Sequence, residues 1–145
     1  ELTTRTGALD DERMEAEAQK VLNRLDLKIK SLRESVRNLS GGQRQAIAIG
    51  RAIYFNAKIL IMDEPTAALG PQETMKVKQL IGGLKKEGLG IFLISHDMHD
   101  VFDVCDRVSV MHNGKMVATV NTNEVTKDDV LGMIILGQKP ASMKA

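Results

Sequence analysis

Apolar positions recur at helical spacing near the start of the chain. Met14, Ala18, Val21, Leu22 and Leu25 fall three or four residues apart, on one face of a helix that Asp10 or Asp11 can cap. After a polar stretch from Ser31 to Asn38, the spacing of Ala46, Ile49 and Ile53 predicts a second helix from Gly42 to about Phe55. Lys58-Ile59-Leu60-Ile61-Met62 behaves differently: the apolar run is continuous and ends at Asp63, the pattern of a strand buried on both faces. Pro71 suits the first position of a third helix, with Val77, Leu80, Ile81 and Leu84 as its stripe and Gly88 as a left-handed cap. Ile91 to Ile94 reads as a second buried strand, and Met98, Val101, Phe102 and Cys105 line a further helix. Asn113-Gly114 between Val108–Met111 and Lys115–Val120 predicts a hairpin. Thr126 and Asp129 form a capping box for a last helix through Ile135.

Strand, helix, strand with fully apolar strands predicts a right-handed parallel crossover, and ligands gather at the carboxyl ends of such strands. Here those ends are Asp63-Glu64 and Ser95-His96. The expected fold is therefore α/β: a parallel sheet flanked by helices, closing in a β-hairpin and a helix. Residues 1–56 form a leading helical lobe in this reading, and 57–145 the α/β core.

Composition narrows the classes. The 145 residues are 43% hydrophobic and 27% charged, an ordinary globular balance. A net charge of +1 gives no bulk electrostatic case for nucleic acid or an anionic membrane. The single cysteine, Cys105, cannot form an internal disulfide, which points to a reducing compartment. No apolar run is long enough to span a bilayer, and no leader pattern opens the chain. Glu1 is not a natural initiator, so the chain reads as a piece of something longer.

Three constellations carry candidate chemistry. Two adjacent carboxylates, Asp63 and Glu64, at the end of a buried strand need a reason, because unpaired charge beside an apolar core is costly. Mg²⁺ supplies one: Asp63 would hold the ion, directly or through water, and Glu64 would polarise an attacking water. The plainer alternative is a strand ending in solvated acids. Ser40-Gly41-Gly42-Gln43 puts a hydroxyl and two unobstructed amides at a helix start, a cradle for phosphate; a Ser-capped helix after a glycine turn is the alternative. His96, after the second strand, can reach a terminal phosphate or water. A rival is metal binding by His96, Asp97, His99 and Asp100, for which no third ligand cluster exists. His99 reads as a solvated helix position and Cys105 as core.

Together, Leu39-Ser40-Gly41-Gly42-Gln43-Arg44-Gln45, the strand into Asp63-Glu64-Pro65-Thr66, and Ile94-Ser95-His96-Asp97 strongly resemble the ATP-binding-cassette (ABC) ATPases, in that order. Arg44, Gln45 and Ala67-Ala68-Leu69 resemble bacterial carbohydrate importers in particular. The resemblance implies a partial P-loop NTPase-like sheet and a head-to-tail pair of cassettes. Ser40, Gly41, Gly42 and Gln43 would then bind the γ-phosphate of ATP held by the partner. Asp63 would serve Mg²⁺, Glu64 would act on water, and His96 would contact the γ-phosphate in its own site. Transmembrane permease subunits and, indirectly, a substrate-binding protein are the implied partners. The implied place is cytoplasmic, on the inner face of the membrane, with no nucleic acid expected.

Two departures stand out. No Walker A loop, G-x-x-x-x-G-K-[ST], occurs in these 145 residues, so the chain alone is expected to be inactive. Leu69 is followed by Gly70, where the family usually has Asp. Two other readings stay open: an ABC-type ATPase of DNA repair or chromosome maintenance, and a non-catalytic cassette-derived interaction module. Against the first, no sustained heptad repeat precedes Leu39.

Overall fold

Side-chain caps explain where the helices begin. The computed structural model describes residues 2–4 and 6–140. Asp10 caps α1 (Asp11–Arg24) by accepting from the Arg13 amide, and Ser40 caps α2 (Gly41–Tyr54). Strand β1 (Ile59–Asp63) leads to α3 (Pro71–Lys86), which starts on Pro71, and then to β2 (Gly90–Ile94). Asp97 caps α4 (Met98–Val104), accepting from the His99 and Asp100 amides. Strands β3 (Arg107–His112) and β4 (Lys115–Asn121) form the hairpin, and α5 (Lys127–Leu136) follows Thr126. Short 3₁₀ turns at Val36–Asn38 and Thr122–Glu124 complete the mixed α/β fold. The chain divides into two compact units, one up to Phe92 and one from Leu93.

In the first unit α2 packs against both α1 and α3. Gly50 makes the first of these crossings close: a Cβ there would meet Val21 Cγ1 and Leu25 Cδ1 at 3.1 Å. Ala46, Ile49 and Ile53 of α2 are buried, as are Val77, Ile81 and Leu84 of α3. The strands depart from expectation. β1 and β2 are neighbours in a two-stranded sheet, but that sheet is covered on one face only. Met62 is buried at 3% exposure, whereas Ile59 and Ile61 are 59% and 69% exposed. Phe92 and Ile94 of β2 are likewise exposed. The reason is the two-residue period of a strand: alternate side chains point to opposite faces, and only one face here meets a packed layer.

The second unit is closed on itself. Val110, Ala118, Val130 and Met133 form its buried cluster, with Met98, Phe102 and Val108 packed against it. Asn113 and Gly114 both take positive φ (48° and 74°), as the tight hairpin turn requires. A register shift falls between Val110 and Met111. At the far end of α5, Gly137 takes φ 66° in the left-handed region, and the His112 ring packs over it. His112 Nδ1 donates to the Ile134 carbonyl at 2.7 Å, so Nε2 is left to accept from Asn113 Nδ2 at 2.9 Å.

Candidate functional site

The loop before α2 is a complete capping box. Ser40 Oγ accepts from the Gln43 amide at 3.3 Å, and Gln43 Oε1 accepts from the Ser40 amide at 3.0 Å. Gln43 Nε2 donates to the Lys28 carbonyl at 3.0 Å, so both ends of that side chain hold the loop in place. Arg44 braces it from the other side, donating from a guanidinium nitrogen to the Leu39 carbonyl at 3.0 Å, and Leu39 is buried beneath. The two glycines sit in close contact with the loop before α3 and with α3 itself. A Cβ on Gly41 would fall 2.6 Å from Leu69 Cδ2, and one on Gly42 would fall 3.3 Å from Glu73 Cβ.

Those contacts bring in a residue that no local motif marks. Glu73, in the first turn of α3, lies against Gly42, with Oε2 3.9 Å from the position of a Gly41 Cβ. The Ser40 hydroxyl is the largest influence holding the Glu73 carboxyl below the usual carboxylate range. Partial desolvation, the next largest influence, opposes it, while the Gly42 and Gly70 amides and the charge of Lys76 act with Ser40. Glu73 sits three residues after Gly70, the N-cap of α3, which is the ordinary place for a glutamate to reach back to a cap amide. Its bond to Ser40 is long-range, which is why spacing along the chain could not reveal it.

Asp63 ends β1 and is exposed. Glu64 follows with φ 46° and Ala68 with φ 60°, two non-glycine residues in the left-handed region within one short loop. Such backbone costs about 1–3 kcal/mol per residue and persists only where surrounding structure over-determines it. Here Pro65 is buried between them, and the Ala67 amide donates to the Glu64 carbonyl at 3.1 Å.

His96 lies in the second unit, in an exposed bend after β2. The rival metal cluster around it does not assemble: among the described residues no group of three or more His, Cys, Asp or Glu could hold an ion. Asp97 is taken up by its cap, and Asp100 is buried. His99 is exposed and accepts at Nδ1 from Lys127 Nζ at 2.7 Å, which leaves its proton on Nε2. Cys105 is half-buried. Asp63, exposed at the end of β1, offers the kind of single carboxylate donor that Mg²⁺ takes beside water and phosphate oxygens.

A Ser-Gly-Gly loop capping a helix, an acidic pair on a strained turn after an apolar strand, and a His-bearing bend after the next strand define a nucleotide-handling cassette. The family model described as ABC transporter matches residues 1–67, and the chain belongs to the ATPase domains of that family. It is close to sugar import ATP-binding proteins. It is 42% identical over 139 residues to the xylose/arabinose import ATP-binding protein XylG of Sulfolobus acidocaldarius, covering 90% of this chain and 55% of that protein. It is 40% identical over 134 residues to the fructose import ATP-binding protein FrcA of Rhizobium meliloti, covering 92% and 52%. Among solved structures, a dimeric ATP-binding cassette in a post-hydrolysis state bound to ADP and Pi superposes with TM-score 0.66 at 28% identity, over 82% of this chain and 51% of that one. The chain thus spans about half the length of the curated relatives it matches. Among the described residues no helix is long and apolar enough to cross a membrane.

Proposed function

We propose that this chain is the signature, Walker B and H-loop portion of the ATP-hydrolysing subunit of a sugar importer. The observation that carries the proposal is the loop before α2: a hydroxyl and two glycine amides held at a helix start, with Gln43 and Arg44 fixing the backbone behind them. Backbone amides there, with the positive end of the helix dipole, suit a phosphate. Ser40, Gly41, Gly42 and Gln43 bind the γ-phosphate of ATP held by a second, head-to-tail cassette. The Gln43 contribution is its backbone, since its side chain is committed to the loop. Asp63 would hold Mg²⁺, directly or through water, and the ion would neutralise developing charge on the phosphates. Glu64 polarises the attacking water and His96 contacts the γ-phosphate in its own subunit's site. Residues 1–56 serve as the helical subdomain and 57–145 as the hydrolytic core. The subunit works at the inner face of the cell membrane with permease subunits and, through them, a substrate-binding protein. The names of the relatives support a sugar as the solute.

The 145 residues lack a Walker A loop, whose backbone and lysine make most phosphate contacts in such enzymes, so the chain by itself neither turns over ATP nor binds it tightly. The test of the whole reading is Ser40→Arg in the complete subunit. The cation fills the phosphate approach, so ATP-dependent dimerisation, followed by light scattering, is lost. Mixing that subunit with a Walker A variant restores one intact composite site and therefore partial closure. Normal closure by Ser40→Arg alone reduces Ser40 to a helix cap.

A further inference from the structure

We propose that Glu73 is a built-in occupant of the signature loop: its carboxylate rests on the donors meant for the partner's γ-phosphate and must leave before two cassettes can close. The inference rests on the phosphate role of Ser40, Gly41 and Gly42. It starts from donor arithmetic. A serine hydroxyl has one proton to give and a backbone amide has one. The Ser40 hydroxyl and the Gly42 amide both bond to Glu73, while Ser40 Oγ accepts from the Gln43 amide at 3.3 Å. Two of the loop's outward donors, the Ser40 hydroxyl and the Gly42 amide, are thus already answered by an anion of this chain. The side chain lies over the loop rather than beside it, since Glu73 Cβ, Cγ and Cδ stand 3.3, 3.5 and 3.6 Å from where a Gly42 Cβ would be.

A second anion cannot simply be added. Glu73 and a γ-phosphate would compete for the same two protons, and like charges at contact distance repel. Glu73 has somewhere else to go. It bonds to the Gly70 amide of its own helix cap and is attracted by Lys76, one turn further along α3. Swinging back onto those two groups completes the ordinary cap of α3 and frees Ser40 and Gly42. The carboxylate, which here holds both sets of partners at once, passes on closure to a state that keeps only Gly70 and Lys76, the first state blocking the loop and the second not. Exchange between them sets how much ATP is needed to close the dimer. An open subunit keeps its loop satisfied and anion-free, and only a phosphate presented with the partner's full set of contacts displaces the carboxylate.

The test uses the complete subunit in a Glu64→Gln background, so that closed dimers accumulate. The ATP concentration for half-maximal dimerisation is read by light scattering for Glu73, Glu73→Gln and Glu73→Ala. Nucleotide binding to the monomer is measured separately with a fluorescent ATP analogue. Removing the carboxylate lowers the half-closure concentration roughly three- to tenfold, as expected for losing one charge-assisted competitor at an exposed site. Glu73→Gln keeps the cap bond to Gly70 and lies between, which guards against a folding defect in the alanine variant. Monomer affinity stays unchanged, because Glu73 touches the loop that acts on the partner and the start of its own helix, neither of which the proposal places at the subunit's own nucleotide. An unchanged or raised half-closure concentration in both variants overturns the role of Glu73, even where Ser40→Arg still blocks closure. Normal closure by Ser40→Arg overturns the phosphate reading itself, and this proposal with it.

Discussion

Each of the two compact units starts a helix with a capping box, and the two boxes spend their protons differently. At α5 the box is self-contained. Asp129 Oδ2 accepts from the Thr126 amide at 2.9 Å and from the Thr126 hydroxyl at 2.7 Å, and Thr126 Oγ1 accepts from the Asp129 amide at 3.1 Å. At α2 the third residue is the neutral Gln43, so the Ser40 hydroxyl proton is not consumed inside the box and goes to Glu73 of a different helix. The first two helical positions differ as well: Lys127 and Asp128 crowd α5, whereas Gly41 and Gly42 leave α2 open. An acidic box brings its own anion and has no need of another. A neutral box with glycines keeps its donors for an anion from elsewhere. That contrast, rather than the presence of a cap, is what the proposed phosphate role of α2 rests on.

The acids of the two units should separate most sharply in activity. In the complete subunit Glu64→Gln removes the charge that polarises water while keeping size, and turnover should fall ~10²–10⁴-fold, the range of a general base. Asp129→Asn should leave turnover within about twofold, because Asp129 serves only its cap. Steady-state phosphate release measures both. A loss smaller than threefold for Glu64→Gln would move the catalytic role to another residue, with His96 next.

Much of the fold was legible because its signals are local. Apolar spacing placed the first four helices, Asn113-Gly114 the hairpin, and the Thr126–Asp129 capping box the last helix, each decided by residues a few positions apart. The candidate residues Ser40 to Gln43, Asp63, Glu64 and His96 rest on equally local patterns. What failed was anything set by another layer. The apolar run of β1 was read as buried on both faces, yet Ile61 is open and Met62 closed, because pattern records hydrophobicity and not which face finds a partner. Glu73 was missed because its bond to Ser40 spans two helices.

Core energetics offer the next contrast. Met133 is fully buried against the hairpin, so Met133→Ala should cost about 2–5 kcal/mol in denaturant unfolding of this chain. Ile61→Ala, one residue from buried Met62 but itself 69% exposed, should cost less than about 0.5 kcal/mol. In the complete subunit the Ile61 cost should rise to about 2 kcal/mol or more, once the outer sheet face is covered. An equal, small cost in both would mean that face stays open. Gly137→Ala is intermediate. Its φ of 66° and a would-be Cβ 2.7 Å from His112 Cδ2 should cost about 1–3 kcal/mol.

The smallest effect tests the two boxes directly, through acid. Thr126, by its hydroxyl and then its amide, holds the Asp129 carboxyl below the usual carboxylate range. A carboxyl depressed in the folded state binds fewer protons there than in the unfolded chain. Its contribution is therefore complete above the ordinary carboxylate range and is lost as pH falls through the depressed folded value. Asp129→Asn should accordingly destabilise the chain near neutral pH. That difference from the unsubstituted protein should shrink toward zero as both are taken into acid, where the protonated aspartic acid resembles asparagine. Gln43→Ala removes a box that cannot titrate, so its cost, about 1 kcal/mol, should hold steady over the same range. Urea unfolding at a series of pH values from neutral to strongly acidic compares the two. A Gln43→Ala cost that fades in acid as the Asp129→Asn cost does would show that α2 also draws its stability from a carboxylate. Glu73 would then be part of that cap, and not only an occupant of its outward donors.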